Sequence, residues 1–579
     1  MLPTRHLKRT SRNGDRIYLI PMLSLVLVLV IVIIWVGNHH PTPSYVSAAE
    51  RFHHQHAGKA AGQDPSTLEG TSSGVENHHS GHVHSSFAFQ GLPMRKHVEG
   101  LPEIWARGPP SMNTSISSAE TPSTLVNSTT LLQLKELCGR CLYRTLTSYV
   151  RMHDFGRIAV VLTGDIPAMW TRDSAVQVAS YLPRVHRRPA LRTVVEGAIR
   201  AQAYFILQDP WANAYNPTFV STYSLPKQDR ILGRGGWVWT RNFELDSVAY
   251  FFNFLWNYHQ TKGLWSPSAL LSETGVHDAV VTLLQLLEVE QHHEERSPYR
   301  YSELKRDGLG PPCGYTGMIW SAFRPSDDPQ TYSFNIPSNM YTVGALHRLL
   351  LLNAAVWQDP YIHDTATRLS VEIHEGIKVF GIVEVEPGIK MYAYEVDGLG
   401  GKLVDFDDPN LPSLLAIPLL GYDQFEKEVY SVTRDRILSK ANNYYYEGKI
   451  LHGMGSPHTS HNMVWPLATA VEALTTNSTA KQSELLKMIL EMASGNGLVH
   501  ESVNVDTPQH FTRAEFGWAN AMAVVAVEQL LGVDCDEEAE RHRLKVIMEY
   551  ESKEPGRVPN GGQDSHQYYS QLEASIPHV

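Results

Sequence analysis

Several loops of this chain concentrate carboxylates, amides and aromatic side chains. The densest are residues 163–174 (TGDIPAMWTRDS), 323–328 (FRPSDD), 407–413 (DDPNLPS), 455–458 (GSPH), 500–502 (HES) and 511–520 (FTRAEFGWAN). Carboxylates bind sugar hydroxyls, and flat aromatic rings stack on the apolar face of a sugar. Cleavage of a glycosidic bond needs two carboxyl groups that flank it, one a protonated acid and the other a base or nucleophile. These loops therefore predict a carbohydrate site, and their spacing leaves the catalytic pair open.

Asp246 has a distinctive local context, at the start of an apolar helical segment in RNFELDSVAY (241–250). Partial burial there would raise its pKa, as a general acid requires. The alternative is that Asp246 and Glu244 only favour the positive end of a helix dipole, and the residues leave both interpretations open. A purely structural alternative, helix capping, also applies to Asp173, Asp407 and Ser338.

The elements that would position these loops are helices. Apolar residues recur with a helical period, as in the stripe formed by Leu245, Val248, Phe252 and Leu255. We predict helices near residues 129–153, 173–184, 189–208, 242–261, 277–291, 337–357, 362–378, 411–419, 424–439, 461–475, 480–494, 512–531 and 536–550. Strand-like alternation is confined to short segments such as 382–394. Helices in this number favour an all-α fold, an (α/α)6 barrel (six-hairpin toroid), and without a strong internal repeat an irregular helical array also stays open.

The N-terminal region predicts a membrane anchor. Residues 17–36 form a run of 20 residues without a charge, which is long enough to span the roughly 30 Å hydrocarbon core of a bilayer. Basic residues dominate the preceding segment, and the positive-inside rule therefore predicts that the rest of the chain is lumenal. A cleaved signal peptide is the alternative, but its apolar core is typically shorter than this run.

The anchor and the composition divide the chain into five predicted parts. They are a cytoplasmic basic tail (1–16), a transmembrane signal anchor (17–36), a disordered lumenal stalk (37–85), a globular domain (86–550) and a disordered tail (551–579). The stalk is rich in His, Ser, Gly and Pro, and such a composition buries too little apolar surface to fold. The predicted protein is thus a single-pass type II membrane protein of the secretory pathway, in the Golgi or the endoplasmic reticulum.

Three N-glycosylation sequons, at Asn113, Asn127 and Asn477, agree with a lumenal domain, because such sites are used only in the secretory pathway. Cys138 and Cys141 stand in a helical stretch, so we interpret them as a local or structural cysteine pair rather than a redox motif. The chain has 49 basic and 60 acidic residues and a formal charge of −11. This charge argues against a nucleic-acid partner, which would require a basic face.

The loop motifs resemble glycoside hydrolase family 125, the metal-independent exo-α-1,6-mannosidases, and within it the fungal meiotically up-regulated, membrane-anchored members. The matching segments follow one another in order across roughly residues 90–535. They are residues 163–175, 243–247 (FELDS), 323–328, 336–340 (IPSNM), 407–415, 455–459, 500–502 and 511–521.

The resemblance implies an (α/α)6 barrel and an inverting mechanism that uses no metal and no other cofactor. It assigns Asp246 as the general acid and Glu501 as the general base, and in an inverting enzyme the two carboxyls lie about 6.5–9.5 Å apart to admit the attacking water. The sugar contacts that it implies are Asp165, Trp170, Arg172, Asp173, Asn339, Asp408, His458 and Trp518. The expected partner is a mannose-containing oligosaccharide or glycoprotein glycan.

The residues leave three other functions open. The first is an α/α-barrel glycosidase with another preference, such as an α-glucosidase, because a fold does not fix the sugar. The second is a lumenal glycan-binding protein without turnover, against which the intact Asp246 and Glu501 argue. The third is a metal-dependent mannosidase with ligands from Asp407, Asp408 and His458, although these residues lack a typical ligand spacing.

Overall fold

The computed structural model describes residues 125–220, 235–261 and 266–537. The helices in these ranges are α1 (Ser128–Arg144), α2 (Thr171–Ala179), α3 (Pro189–Gln208), α4 (Leu245–His259), α5 (Pro267–Leu271), α6 (Thr274–Glu290), α7 (His293–Arg296), α8 (Lys305–Gly308), α9 (Ile336–Ala355), α10 (Pro360–Gly376), α11 (Lys427–Ile437), α12 (Pro466–Thr475), α13 (Thr479–Met492) and α14 (Gly517–Leu531).

The strands are short. They are β1 (Val150–His153), β2 (Ile158–Val161), β3 (Met169–Trp170), β4 (Ala214–Tyr215), β5 (Val238–Thr240), β6 (Phe334–Asn335), β7 (Ile382–Glu386), β8 (Ile389–Tyr392), β9 (Glu395–Val396), β10 (Lys402–Leu403), β11 (Tyr445–Glu447), β12 (His452–Met454), β13 (Met463–Val464), β14 (Ser502–Asn504) and β15 (Phe511–Thr512). They pair antiparallel as β1–β2, β3–β4–β5, β10–β9–β6, β7–β8, β11–β12 and β13–β14–β15.

An inner layer of helices forms the core of the molecule. Helix α4 packs between α2 and α9, and α14 packs between α2 and α12. Helices α4, α9 and α14 are buried around nearly their whole circumference, as expected for helices surrounded by protein. Helices α1, α10 and α13 pack outside α14, α9 and α12 respectively. The described helices therefore form an α/α-barrel-type fold, in agreement with the sequence analysis.

Short strands lead into the inner helices. Strands β3, β5, β6, β13 and β15 directly precede α2, α4, α9, α12 and α14. Residues at four of these junctions, those that lead into α2, α4, α12 and α14, line one common cavity, so these four helices begin at the same end of the barrel. The alternation at residues 382–394 corresponds to the β7–β8 hairpin, in which Ile382 lies opposite Tyr392. Strands are more numerous than the sequence predicts, because most are too short to show alternation.

The prediction of a helix at residues 411–419 is wrong. This segment is a loop that ends in a 3-10 turn, Ile417–Leu419. Pro418 lies inside the predicted helix, where it has no N–H to donate and its ring disfavours a helix. Asp407 stabilises the loop instead, because its carboxylate accepts the backbone N–H groups of Leu414 at 2.8 Å and Leu415 at 2.9 Å.

The first helix is also shorter than predicted, and its cysteines do not form a local pair. Helix α1 ends at Arg144, and a π-helical turn, Thr145–Tyr149, leads into β1. Cys138 forms a disulfide with Cys535, 397 residues away in sequence. Cys141 is a buried free thiol that lies 3.0 Å from Oδ1 of Asn520. The prediction of a local pair is therefore wrong, and the bridge joins α1 to the segment that follows α14.

Some predictions lie outside the described residues. These are the cytoplasmic tail, the anchor at 17–36, the stalk, the C-terminal tail, the sequon at Asn113 and most of the helix at 536–550. Across residues 125–220, 235–261 and 266–537, none of the helices combines the length and apolar character that a membrane span needs. The sequons at Asn127 and Asn477 are both exposed, and Asn127 also caps α1 by accepting the N–H of Thr130.

Candidate active site

A cavity of about 340 Å³ lies at the end of the barrel where these four inner helices begin. Its wall comes from the loops that the sequence marks as rich in acids and aromatics, within residues 163–173, 240–242, 325–327, 410, 458–465, 501 and 513–518. Its volume falls within the range of small-molecule sites. The convergence of loops from across the whole chain explains why no single motif contains the complete site.

Arg172 and Trp518 form a buried part of the cavity wall. The guanidinium carbon of Arg172 lies 4.9 Å from the centroid of the Trp518 ring, a distance typical of a cation–π contact. Beside them, burial raises the pKa of Asp173 to about 6, although the charge of Arg172 opposes this shift. Nε1 of Trp518 and Oδ2 of Asp173 have no hydrogen-bond partner among the described residues. Both groups line the cavity and can bind sugar hydroxyls.

Glu501 lies at the cavity wall next to an arginine. Glu501 is only 7% exposed, and its Oε1 lies 3.7 Å from Nη1 of Arg513. Arg513 is fixed from the other side, because its Nε donates to Oδ1 of Asp165 at 2.8 Å and its Nη2 donates to the carbonyl of Thr163 at 2.8 Å. Asp165 therefore binds Arg513, whereas the sequence analysis expects it to contact sugar.

Glycine is required at position 164, where the loop of residues 163–174 meets the loop of residues 511–520. Gly164 has a φ of +98°, and a Cβ there would lie 2.2 Å from the carbonyl oxygen of Glu515. The backbone N–H of Asp165 donates to that same carbonyl at 3.0 Å. Only a residue without a side chain allows the two backbones to approach this closely. The first and last motifs of the domain are thus joined beside Glu501.

Asp327 is a further carboxyl at the cavity wall, and it is not among the site residues predicted from the sequence. Its Oδ1 accepts the side-chain N–H groups of Asn213 at 2.7 Å and Trp170 at 3.3 Å. Its side chain keeps 31% of its surface exposed, whereas that of Asp246 keeps 1%. The backbone of Asp327 has a φ of +66°, a conformation that non-glycine residues rarely adopt and that often marks functional sites.

Asp246, the predicted general acid, is not among the residues that line the cavity. It lies in the first turn of α4, and burial raises its pKa to about 6 while Arg172 opposes the shift, so the prediction that burial raises its pKa is confirmed. Its Oδ2 lies 3.1 Å from Nη1 of Arg172, and the same nitrogen donates to Oε2 of Glu244 at 2.7 Å. Both carboxyls are buried around Arg172 and hold its guanidinium.

The other predicted sugar contacts divide into two groups. Trp170, Arg172, Asp173, His458 and Trp518 line the cavity. Asn339 and Asp408 do not, because each is hydrogen-bonded within the protein. Asn339 binds the backbone of Ile319 through both its side-chain atoms, at 2.8 and 3.1 Å. Asp408 accepts the side-chain N–H of Asn410 at 2.8 Å, and Asn410 itself reaches the cavity.

His458 is paired with a carboxylate. Its Nδ1 lies 2.9 Å from Oδ1 of Asp328, the residue that follows Asp327. This hydrogen bond, together with the charges of Asp328, Glu501 and Asp327, raises the pKa of His458 to about 9 despite desolvation. The ring is therefore an imidazolium at neutral pH.

The acids and histidines of the described residues do not assemble a metal-ligand set at this cavity. The one group with converging ligand atoms in these ranges is Cys138, Glu528 and Cys535, in which both cysteines are consumed by the disulfide. Asp407 uses both carboxylate oxygens on backbone N–H groups. The set of Asp407, Asp408 and His458 considered for a metal-dependent enzyme is therefore not formed.

Comparisons with known proteins relate this chain to α-mannosidases. A family model described as metal-independent α-mannosidase (GH125) matches residues 132–527. The Meiotically up-regulated gene 157 protein of Schizosaccharomyces pombe is 35% identical over 433 residues, which cover 69% of this chain and 82% of that protein. A solved structure of a metal-independent α-mannosidase from Streptococcus pneumoniae, in a non-productive substrate complex with α-1,6-mannobiose, is 38% identical. It superposes with a TM-score of 0.64 and covers 70% of this chain and 95% of that one.

Proposed function

The chain belongs to glycoside hydrolase family 125, the metal-independent α-mannosidases, and from this membership we propose that it is an exo-acting, inverting α-1,6-mannosidase. It is a glycoside hydrolase, so the alternative of a glycan-binding protein without turnover is set aside. The linkage is proposed from the relative of Streptococcus pneumoniae, whose complex contains α-1,6-mannobiose.

The observation that carries the proposal is a cavity with three carboxyls in its wall, Asp173, Asp327 and Glu501. Its volume of about 340 Å³ suits a terminal sugar and the start of its neighbour rather than a long glycan chain. Buried Arg172, Asp173 and Trp518 would bind that terminal sugar. Removal of one mannose from the non-reducing end follows from such a site.

The mechanism needs one carboxyl to receive a proton and another to donate one. Glu501 would remove a proton from a water as the water attacks the anomeric carbon. A protonated carboxyl would donate its proton to the glycosidic oxygen as the bond between that oxygen and the anomeric carbon breaks. Attack opposite to the leaving group yields β-mannose from an α-mannoside.

We assign the proton donor to Asp327 rather than to Asp246. A general acid must come within hydrogen-bond distance of the leaving oxygen, and Asp327 lines the cavity while Asp246 is buried against Arg172. In this assignment Asp246 and Glu244 position Arg172. An α-glucosidase would need the same two carboxyls, and the family membership favours mannose over glucose.

We also propose that the hydrolase domain is lumenal and anchored in the membrane through residues 17–36. The exposed sequons at Asn127 and Asn477 and the Cys138–Cys535 disulfide support this location, since disulfides and N-glycans form in the secretory pathway. A sealed microsome preparation tests it directly. Protease should leave the domain intact, and endoglycosidase treatment after detergent should increase its mobility. Digestion of the domain in sealed vesicles would contradict the proposal.

The activity is tested with the detergent-solubilised full-length protein and α-1,6-linked mannobiose, with the released anomer followed by proton NMR. β-Mannose should appear first, EDTA should have no effect, and Glu501→Gln should abolish release. Early α-mannose would contradict the inverting mechanism. Release of glucose from an α-glucoside, with none from mannobiose, would assign the α-glucosidase function instead.

A further inference from the structure

His458 and Asp328 form a hydrogen-bonded dyad at the cavity. His458 lines the cavity wall, and its Nδ1 is engaged by Oδ1 of Asp328 at 2.9 Å. Asp328 and Asp327 are neighbours in sequence, yet only Asp327 lines the cavity. The positive φ of Asp327 turns the chain between them, and the backbone N–H of Arg324 fixes the turn by donating to the carbonyl of Asp328 at 2.8 Å.

The surroundings of the ring favour its charged form. The hydrogen bond with Asp328 is the main cause, and with a contribution from Glu501 it raises the pKa of His458 to about 9 despite desolvation. Two arginines line the same cavity and both are paired, Arg513 with Asp165 and Glu501 and Arg172 with Glu244 and Asp246. Trp465 packs edge-on against the imidazole ring, with 6.2 Å between the ring centroids. With Nδ1 engaged, Nε2 is the ring nitrogen that remains for a ligand.

A protonated imidazole has donors at both nitrogens and no acceptor. A neutral mannoside offers many oxygen acceptors and has no group that titrates between pH 5 and pH 9. Any pH dependence of its binding in that range therefore reports on the protein. A hydrogen bond from a charged donor is roughly twice as strong as one from a neutral donor.

We propose that Asp328 is a positioning residue that keeps His458 protonated, so that Nε2–H donates a charged hydrogen bond to an oxygen of the bound mannoside. This proposal rests on the proposed function for its ligand. It does not depend on which carboxyl is the general acid. It predicts that loss of Asp328 changes the pH at which binding weakens, which a purely structural role would not do.

The test measures binding as well as turnover across pH 5 to 9.5. Methyl α-mannoside is titrated into the full-length protein by calorimetry, and KM for α-1,6-mannobiose is measured in parallel. The variants are Asp328→Asn, His458→Gln and the double variant. The matched control is Asp364→Asn, because Asp364 and His363 form a similar pair, with 3.0 Å between Oδ1 and Nδ1, on the exposed surface.

The wild type and Asp364→Asn should bind with an affinity that changes less than about twofold between pH 6 and pH 8. Asp328→Asn should lose about three- to tenfold in affinity over the same interval, as its His458 deprotonates. His458→Gln should bind weakly without this pH step, and Asp328→Asn should add no further step in that background.

An Asp328→Asn profile that coincides with the wild-type profile would overturn the proposal, and so would a pH step that persists in the double variant. If Asp328→Asn does not fold, the wild type is compared with His458→Gln alone. The affinity of the wild type for the mannoside should fall as pH rises through about 9, and that of His458→Gln should not. Failure of the proposed function is distinguishable, because it would appear as a wild type that binds the mannoside with the expected pH profile and does not cleave mannobiose.

Discussion

Oδ2 of Asp246, the acid that the sequence selects, lies 3.1 Å from Nη1 of Arg172, and only Arg172 of the two lines the cavity. Arg172 itself reaches the cavity wall, and its Nη2 lies 3.9 Å from Oδ2 of Asp327. One buried guanidinium therefore contacts a buried pair of carboxyls, Asp246 and Glu244, and faces the carboxyl at the wall. The roles of Asp327 and Asp246 can be separated by experiment.

Asp327→Asn is expected to lower kcat/KM on α-1,6-mannobiose by roughly 10²- to 10⁴-fold, the usual contribution of a general acid. The same variant should hydrolyse α-mannosyl fluoride at close to the wild-type rate, because fluoride leaves without a proton. Asp246→Asn should slow both substrates by a similar factor, since it disturbs the position of Arg172. The ratio of initial rates on the two substrates, measured for each variant, shows which aspartate donates the proton.

The opposite pattern of rates on the two substrates would reverse the assignment of the general acid. An Asp246→Asn variant that fails on mannobiose and retains the fluoride would restore Asp246 as the acid. Glu501→Gln is the reference for a lost base and should fail on both substrates, because the attacking water is then not activated. Thermal unfolding of each variant controls for loss of the fold.

Arg513→Gln is expected to lower kcat by about 10- to 100-fold with a smaller change in KM. Arg513 lies 3.7 Å from Glu501 and is itself held by Asp165, so its loss should misplace the base and leave most of the sugar contacts intact. Steady-state kinetics on mannobiose measure this separation of kcat from KM. Arg144→Gln is the matched control, because Arg144 pairs with Glu515 in the same loop and is not among the residues that line the cavity. Equal losses in the two variants would attribute the effect to the loop.

The sequence predicts the long helices and the chemistry of the loops, because both depend on residues that are close together in the sequence. The stripe from Leu245 to Leu255 falls within α4, and the acid- and aromatic-rich loops converge on the cavity. The failure at residues 411–419 has a local cause that was present in the sequence, since two prolines interrupt an apolar run that is buried in a loop.

The choice between Asp246 and Asp327 depends on long-range contacts, which the sequence pattern does not contain. The context of Asp246 correctly predicts burial and a raised pKa. Its hydrogen-bond partner is Arg172, 74 residues earlier in the chain. Asp327 is held at the cavity by Asn213, 114 residues earlier, and by an unusual backbone conformation. Both aspartates stand in motifs of the family, so the motifs alone do not choose between them.

Asp407→Asn should flatten the dependence of stability on pH. Burial raises the pKa of Asp407 from 3.8 to about 8, although two backbone N–H groups oppose the shift. A carboxyl with a raised pKa in the folded state contributes stability that is complete below its unfolded pKa and is lost as pH rises through the folded pKa. Wild-type Tm should therefore decline between about pH 4 and pH 8 more steeply than that of Asp407→Asn. Parallel slopes in thermal scans of the two proteins would show that Asp407 does not titrate in this range.

Reduction of the Cys138–Cys535 disulfide is expected to lower the free energy of unfolding by about 2–5 kcal/mol. The bond joins α1 to the end of the described domain and closes a long loop, so its loss gives the unfolded chain more conformational freedom. Dithiothreitol should lower the Tm of the wild type and leave that of a Cys138→Ser/Cys535→Ser variant unchanged. Cys141→Ser is the matched control, because Cys141 lies on the same helix with a free thiol, and this variant should keep the response to dithiothreitol. A wild type insensitive to dithiothreitol after unfolding and refolding would mean that the two cysteines are not bonded, and would remove one support for a lumenal domain.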